Sequence, residues 1–153
     1  MDKLEQIRAD FPILQQTVNE EPLVYLDNAA TAQRPTPVLE RVRQFYQTDN
    51  ANVHRGVHTL AQRATTAYET ARQKVQHFLH AAAPEEIIFT RGCTEALNLV
   101  AATYGRTHLQ AGDEIVISVA EHHSNLIPWQ QLAHQTGARL RYIGLTATGE
   151  LDL

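Results

Sequence analysis

Several residue types and patterns are scarce in this sequence, and each scarcity excludes a class of protein. The single cysteine, Cys93, excludes an internal disulfide. No apolar run approaches the roughly 20 residues that a membrane-spanning helix needs. The stretch from Met1 to Asp10 is charged and lacks the apolar centre of a secretory signal. There is no Gly-x-Gly-x-x-Gly and no Gly-Lys-Ser/Thr, the motifs of dinucleotide and P-loop sites. We therefore expect a cytoplasmic protein with no membrane partner.

The overall composition is that of a folded domain. The chain has 153 residues, of which 43% are hydrophobic and 20% charged. A formal net charge of -4 gives no reason to expect nucleic acid as a partner. An apolar segment begins near Gly149 and has little sequence left to pack on. We therefore expect the sequence to break off inside a domain.

The first half of the sequence predicts mainly helices. A short helix is expected from Asp2 to Arg8, a strand at Leu23 to Leu26, and a loop from Asp27 to Pro37. Apolar residues then recur at helical spacing, and the clearest stripe predicts a helix from about Thr59 to His80.

The second half alternates between short apolar strands and helices. This order predicts parallel pairing with helical crossovers, and hence an α/β fold in which helices cover a mainly parallel sheet. The expected strands are Glu86–Thr90, Glu114–Val119 and Arg139–Leu145, and the expected helices are Thr94–Thr107 and Asn125–Gln135.

The loop from Thr90 to Glu95 joins a predicted strand to a predicted helix, which is where α/β sheets bind ligands. Gly92 permits a sharp turn, the first amides of the helix are free, and Thr94 offers a hydroxyl. Free N–H groups at the positive end of a helix dipole suit a phosphate. Because strand–Gly–helix turns are common, a capped helix start without any ligand is the alternative.

The segment Glu121–Asn125 follows the next predicted strand. Its two histidines, His122 and His123, are placed for acid–base chemistry or ring stacking. No metal site is predicted, because adjacent histidines seldom converge on one ion and no cluster of cysteines or carboxylates accompanies them. The alternative is a polar loop in which Ser124 or Asn125 caps the following helix.

A third polar segment, Asn52 to His58, contains His54 and Arg55. The two histidines of this segment are four residues apart, but Gly56 disfavours a helix and no glutamate supplies the base of a zinc protease. By composition alone, the segment is a solvated loop with a basic residue.

Taken in order, four segments resemble those of the class V aminotransferase superfamily of fold type I. They are Tyr25–Thr31, Val53–Leu60, Phe89–Asn98 and Glu121–Asn125, the last followed by Pro128 and Trp129. The second and fourth narrow the resemblance to the SUF/CSD-type cysteine desulfurases, which also act as selenocysteine lyases. The resemblance covers essentially the whole chain. It implies a PLP-dependent transferase fold, a mainly parallel sheet flanked by helices, incomplete at the C-terminus.

The same resemblance implies where the cofactor, pyridoxal 5'-phosphate (PLP), would lie. It places the phosphate against the amide of Cys93 and against the amide and hydroxyl of Thr94. It places the ring of His122 over the PLP pyridine, where the ring exchanges protons with the substrate adduct. His54 and Arg55 would lie near the substrate entrance and the dimer interface. Relatives usually have Thr where this chain has Cys93, and a thiol is a weaker donor than a hydroxyl. The exchange therefore affects cofactor affinity if this side chain contacts the phosphate.

The domain organisation and the reaction are also implied by the resemblance. Residues 1–24 would belong to a small domain and residues 25–153 to the N-terminal part of the large PLP-binding domain. The enzyme would be a homodimer that converts L-cysteine, or L-selenocysteine, to L-alanine. The sulfur would pass to an enzyme persulfide and on to an acceptor protein, for Fe–S cluster assembly or another sulfur pathway.

The residues that complete the chemistry lie downstream in this family. They are the lysine that binds PLP, its flanking histidine, the aspartate on the pyridine nitrogen, the nucleophilic cysteine and the arginine that binds the substrate carboxylate. Lys3 and Lys74, the two lysines of this sequence, lie in a terminal segment and in a helical pattern. We therefore expect this chain to be inactive by itself.

Two other readings remain open. Another class V enzyme would use the same scaffold for transamination, kynurenine cleavage or epimerisation. A non-enzymatic fragment would not bind PLP at all.

Overall fold

The computed structural model describes residues 2–153 and divides into two compact units. The first unit ends at Ile87 and the second begins at Ile88. The domain boundary expected after residue 24 concerns a larger enzyme and stays a prediction. None of the helices between residues 2 and 153 is both long and apolar enough to cross a bilayer.

The first unit consists of helices and one small hairpin. Its regular elements are α1 (Lys3–Ala9), β1 (Thr17–Val18), β2 (Glu21–Pro22), α2 (Thr36–Thr48) and α3 (Thr59–Leu79), with 3-10 turns at Pro12–Gln15 and Pro84–Glu86.

The hairpin shows why the strand predicted at Leu23 to Leu26 is wrong. Strands β1 and β2 pair antiparallel just upstream, around Asn19 and Glu20. These two residues have φ values of 52° and 67°. Positive φ at both central residues is what a type I′ turn of a two-residue hairpin requires. The Leu23 amide adds one more hydrogen bond to the hairpin. Residues 24–26 then pair with no strand in the described part of the chain.

Helix α3 agrees with its predicted span to within a residue. It begins after His58, whose Nδ1 accepts a hydrogen bond of 3.3 Å from the Ala61 amide, and it ends at His80 in the left-handed conformation. The preceding loop packs closely on this helix start, because a Cβ on Gly56 would lie 2.3 Å from the Cβ of Ala61. Only glycine fits there without a shift of the loop.

The second unit contains the parallel strand pair. Its elements are α4 (Cys93–Val100), a π-helical segment (Ala101–Gly105), α5 (Arg106–His108), β3 (Glu114–Ser118), a 3-10 turn (His123–Asn125), α6 (Ile127–Thr136) and β4 (Arg139–Ile143). Strands β3 and β4 pair in parallel from Glu114 opposite Arg139 to Ser118 opposite Ile143. The helix α6 connects them, which confirms the predicted parallel pairing and the α/β class.

Packing in this unit centres on α6. The buried apolar residues here are Ala101, Ile117, Leu132, Ala133 and Ala138. A Cβ on Gly105 would lie 2.4 Å from a methyl carbon of Leu132, so the π-helical segment and α6 are in close contact.

The strand predicted at Glu86 to Thr90 is wrong for the described residues. Pro84–Glu86 forms a 3-10 turn, and residues 87–90 pair with no strand. Ile87 is buried, but Ile88 is 66% exposed. An apolar run indicates that a segment tends to be buried. A strand also requires a neighbouring strand to which its backbone can hydrogen-bond.

Candidate functional site

An open cleft in the second unit brings two predicted site residues together. Thr94, at the start of α4, and His122, in the loop after β3, are both on its wall. The cleft has a volume of about 360 Å³, and its lining residues are Thr94, Asn98, His122, His123, Ser124, Ile127, Pro128 and Gln131. The start of α4 and the loop at the carboxyl end of the parallel strand β3 thus share one cavity, and that end of a strand is where α/β proteins hold ligands.

The start of α4 presents unpaired hydrogen-bond donors. Gly92 is the N-cap residue and no side chain caps the helix. The amides of Cys93 and Thr94 belong to the first turn, where no helical acceptor exists. The Thr94 hydroxyl has no hydrogen-bond partner within residues 2–153. A Cβ on Gly92 would meet no atom within 4 Å, so there is open space at this helix start.

Neighbouring residues hold the helix start without using those donors. The Arg91 amide donates to Oε2 of Glu95 at 2.5 Å, and the Asn98 side-chain amide donates to the carbonyl of Thr94 at 2.8 Å. Cys93 is exposed and its thiol is free, but the residue is not part of the cleft wall. The donors left without a partner among the described residues here are therefore two backbone amides and one hydroxyl.

His122 is fixed by its own loop. Its Nδ1 accepts a hydrogen bond of 3.1 Å from the Ser124 amide and lies 2.9 Å from the Ser124 hydroxyl. Because a backbone N–H can only donate, Nδ1 has no proton in this arrangement, and the proton of the neutral ring is on Nε2. The ring also makes an edge contact with His123, with centroids 6.2 Å apart. Nε2 has no partner among the described residues, and it is the nitrogen left free to donate to a ligand.

The sequence interpretation missed a network beneath this loop. Oε1 of Glu121 accepts a hydrogen bond from the Ser118 hydroxyl, and Oε2 accepts one from the Asn125 side-chain amide, both at 2.7 Å. Oδ1 of Asn125 in turn accepts from the Trp129 indole at 2.8 Å. The two donors, first Ser118 and then Asn125, hold the pKa of the Glu121 carboxyl below its ordinary value. The spacing of four residues from Glu121 to Asn125 to Trp129 was a visible signal for this network.

His54 and Arg55 lie in the first unit, whereas the cleft belongs to the second. The His54 amide donates to the Thr65 hydroxyl at 2.9 Å, and its Nε2 lies 2.7 Å from a carboxylate oxygen of Glu69. His54 has a φ of 64°, so its backbone is in the left-handed region. Arg55 is exposed and makes no hydrogen bond or ion pair within the described chain. The loop is therefore anchored on α3 through His54, and Arg55 extends from it.

No group of three or more His, Cys, Asp or Glu side chains among residues 2–153 is arranged to hold a metal ion.

A strand–loop–helix site of this kind, on an α/β unit, is a common place for a ligand to bind, and the match to known proteins narrows the class of protein. The model of the aminotransferase class-V family matches residues 24–153. The chain therefore belongs to the class V aminotransferase family.

Individual relatives point to one activity. A cysteine desulfurase of Dickeya dadantii (strain 3937) is 57% identical over 150 residues, a match that covers 98% of this chain and 36% of the relative. The crystal structure of the cysteine desulfurase CsdA from Escherichia coli matches with a TM-score of 0.79 and 47% identity, covering 99% of this chain and 37% of that one.

A more distant structure shows the same fold at 23% identity. It is a C-DES mutant with glycine covalently linked to its PLP cofactor, matched with a TM-score of 0.72 over 92% of this chain and 34% of that one. Across the curated relatives, the chain spans between 24% and 38% of their length.

Proposed function

We propose that this chain is the N-terminal part of a PLP-dependent cysteine desulfurase. The full-length enzyme converts L-cysteine, or L-selenocysteine, to L-alanine and passes the sulfur to an enzyme persulfide for Fe–S cluster assembly or other sulfur transfer. Relatives named cysteine desulfurase match almost the entire chain at 53–57% identity. In this proposal, residues 1–24 belong to a small domain and residues 25–153 to the PLP-binding domain. The enzyme acts in the cytoplasm as a homodimer and hands its sulfur to an acceptor protein.

The observation that carries the proposal is the cleft between α4 and the loop after β3. Its donor set suits a phosphate ester: the amides of Cys93 and Thr94, the Thr94 hydroxyl, and the positive end of the α4 dipole. The space at Gly92 leaves room for close approach of a ligand to the backbone. His122 stands on the wall of the same cleft and offers a flat ring for stacking. These residues fit PLP, with the phosphate at the helix start and the pyridine beside His122.

The residues of this chain bind and orient the reactants. When bound, PLP supplies an electron sink for the bonds of the amino acid that are broken. The amides of Cys93 and Thr94 hold the phosphate and so fix the depth of the cofactor in the cleft. His122 covers one face of the ring and donates from Nε2 toward the reacting amino acid. His54 and Arg55 belong, in this proposal, to a segment near the substrate entrance and the dimer interface of the full-length enzyme. In this proposal, the lysine that binds PLP and the cysteine nucleophile are supplied by sequence beyond Leu153.

The proposal is tested on the full-length protein, purified without added cofactor. We expect it to contain PLP, detected by its visible absorbance, and to form equal amounts of alanine and cysteine-derived sulfide when L-cysteine and a reductant are supplied. Kynurenine, keto acids with an amino donor, and D-amino acids serve as competing substrates. Bound PLP with turnover of one of these and none of L-cysteine would assign another class V reaction. Absence of PLP would favour a non-enzymatic protein.

His122→Ala tests the role of the ring. We expect it to lower turnover more than it lowers PLP retention. Lost stacking weakens binding modestly, whereas lost proton transfer costs about 10²–10⁴-fold in rate. His134→Ala is the matched control, because His134 is exposed on α6 and is not part of the cleft wall. If His122→Ala and His134→Ala turn over L-cysteine equally fast, His122 is only a loop residue.

A further inference from the structure

The loop that presents His122 is tied together by one carboxylate. We call the four residues Ser118, Glu121, Asn125 and Trp129 the Glu121 clamp. Each carboxylate oxygen of Glu121 accepts one side-chain hydrogen bond of 2.7 Å, and the Asn125–Trp129 bond of 2.8 Å extends the chain of contacts. The side chain of Glu121 therefore has no oxygen left without a partner from the loop.

The Glu121 clamp links three elements by side-chain hydrogen bonds. Ser118 is the last residue of β3, Asn125 is the last residue of the 3-10 turn, and Trp129 lies in the first turn of α6. The Ser118 hydroxyl also accepts a hydrogen bond of 3.2 Å from the Ala120 amide. All four clamp side chains are partly buried, so solvent competes less with these bonds than it does at an exposed site.

His122 depends on the clamp for its position. It follows Glu121 directly, and its contacts are to Ser124 and His123, both within the same loop. No hydrogen bond joins the His122 ring to α4 or to a strand in the described part of the chain. The place of the ring in the cleft is therefore set by the loop backbone, which is held by the Glu121 side chain together with a hydrogen bond of 2.8 Å from the Asn125 amide to the His122 carbonyl.

We propose that Glu121 is a positioning residue for His122, acting through Ser118 and Asn125. The inference rests on the proposed function, in which His122 stacks on the cofactor and donates a hydrogen bond from Nε2. Each oxygen of an ionised Glu121 accepts one hydrogen bond, whereas a protonated carboxyl has a proton on one oxygen and a side-chain amide has only one oxygen. The lowered pKa of the Glu121 carboxyl agrees with an ionised side chain that accepts both hydrogen bonds.

The kinetic test is a double-mutant cycle in the full-length protein. Glu121→Ala should lower kcat about tenfold to a hundredfold, because small displacements of an acting group are costly. In a His122→Ala background, the same change should lower kcat less than about twofold, because the group that the clamp positions is already missing. Equal losses of kcat in the two backgrounds would contradict the proposal and identify a general structural role.

The conservative variant separates position from folding. Glu121→Gln keeps an acceptor oxygen for Asn125, and its amide can donate to the Ser118 hydroxyl, so most of the geometry survives. We expect its kcat to lie between those of wild type and Glu121→Ala, with an unchanged KM. Glu85→Gln is the matched control, since Glu85 is exposed and makes no hydrogen bond or ion pair within residues 2–153. A Glu121→Gln enzyme as slow as Glu121→Ala, with a normal unfolding temperature, would contradict the proposed geometry.

A third measurement needs no turnover. The ring nitrogens of His122, observed by ¹⁵N NMR after histidine labelling, should show an unprotonated Nδ1 and a protonated Nε2 in the wild type. In Glu121→Ala, the Ser124 amide should lose its alignment, and the two tautomers should mix. Unchanged ring-nitrogen spectra in Glu121→Ala would overturn the proposal. A wild-type protein that makes no alanine would instead contradict the proposed function, and the spectra would still decide the role of the clamp.

Discussion

Cys93 and Thr94 stand side by side in the first turn of α4 and offer a ligand different groups. Both contribute an amide without a helical acceptor, but only Thr94 lines the cleft with a side chain. A sulfur carrier must reach the amino-acid end of PLP, whereas this helix start suits the phosphate end. In the proposed function, Cys93 is therefore badly placed to be the nucleophile, although it is the only cysteine in the sequence.

The corresponding prediction is that Cys93→Thr keeps desulfurase activity in the full-length protein and retains PLP more tightly during dialysis. The amide is unchanged and a hydroxyl is a better donor than a thiol. Cys93→Ala is the control, which keeps the amide but removes the side-chain donor. A persulfide found on Cys93 by mass spectrometry, with activity abolished in Cys93→Thr, would reverse this assignment.

Glu121 predicts a pH dependence of stability. Hydrogen bonds from Ser118 and then Asn125 lower its pKa in the folded state. Its contribution is therefore fully present above the unfolded-state pKa and is lost as the pH falls through the lower, folded-state value. In urea titrations across the acidic range, we expect the stability difference between wild type and Glu121→Gln to shrink on acidification. The Glu85→Gln variant should follow wild type. A Glu121→Gln difference that stays constant with pH would contradict the ionised acceptor.

At the scale of elements, the sequence predicted what local periodicity determines. The apolar stripe of α3 and the strands around α6 were found to within a few residues. The strands expected at Leu23–Leu26 and Glu86–Thr90 were wrong. An apolar run indicates that a segment tends to be buried, but it does not indicate which part of the protein packs against it. Parallel pairing depends on residues far apart in sequence, so single-sequence patterns do not determine which segments become strands.

The candidate site was also predicted only in part. The resemblance supplied Thr94 and His122, and these two residues share the cleft. Whether they act on PLP stays a prediction. The network of Glu121, Asn125 and Trp129 was missed, because side-chain hydrogen bonds depend on rotamers that no local pattern reports. Only the spacing of four residues hinted at it.

Gly105 lies within the helical segment from Cys93 to His108 and Gly92 directly precedes it, and the same substitution should have opposite effects at the two positions. A Cβ at Gly105 would overlap the Leu132 side chain at 2.4 Å, whereas one at Gly92 meets nothing within 4 Å. Gly105→Ala should therefore destabilise the protein by about 1–3 kcal/mol, as overpacking does. Gly92→Ala should leave the unfolding temperature unchanged but lower PLP retention, since its methyl occupies the space at the helix start. Equal stability losses in the two variants would contradict the role assigned to Gly92.

At the scale of the whole molecule, the core is small. Among residues 2–153, eight hydrophobic residues form the buried core, and five of them are alanines. Large apolar side chains are instead exposed, among them Val57 at 96%, Leu26 at 88% and Phe78 at 81%. A fully buried side chain of this size contributes about 1.5–3 kcal/mol, so their exposure leaves much stabilisation unused.

The 153-residue chain produced alone should therefore unfold at lower denaturant concentration than the full-length protein and bind hydrophobic dyes. It should also form no alanine from L-cysteine beyond the rate of free PLP, because in the proposed function the covalent steps use a lysine and a cysteine nucleophile that lie outside this chain. Alanine or sulfide production by the isolated chain above that background would contradict the prediction.

The parallel ladder between β3 and β4 determines the order in which the second unit acquires structure. Its five rungs, from Glu114–Arg139 to Ser118–Ile143, are all closed by the single segment that contains α6. Parallel strands cannot be joined by a tight turn. The chain therefore loses the entropy of closing this long connection when the first strand pair forms. The remaining rungs need no further closure. In pulse-labelled hydrogen exchange during refolding, we expect the ladder amides to become protected in one kinetic phase. During synthesis, none of them should be protected until Ile143 has left the ribosomal exit tunnel.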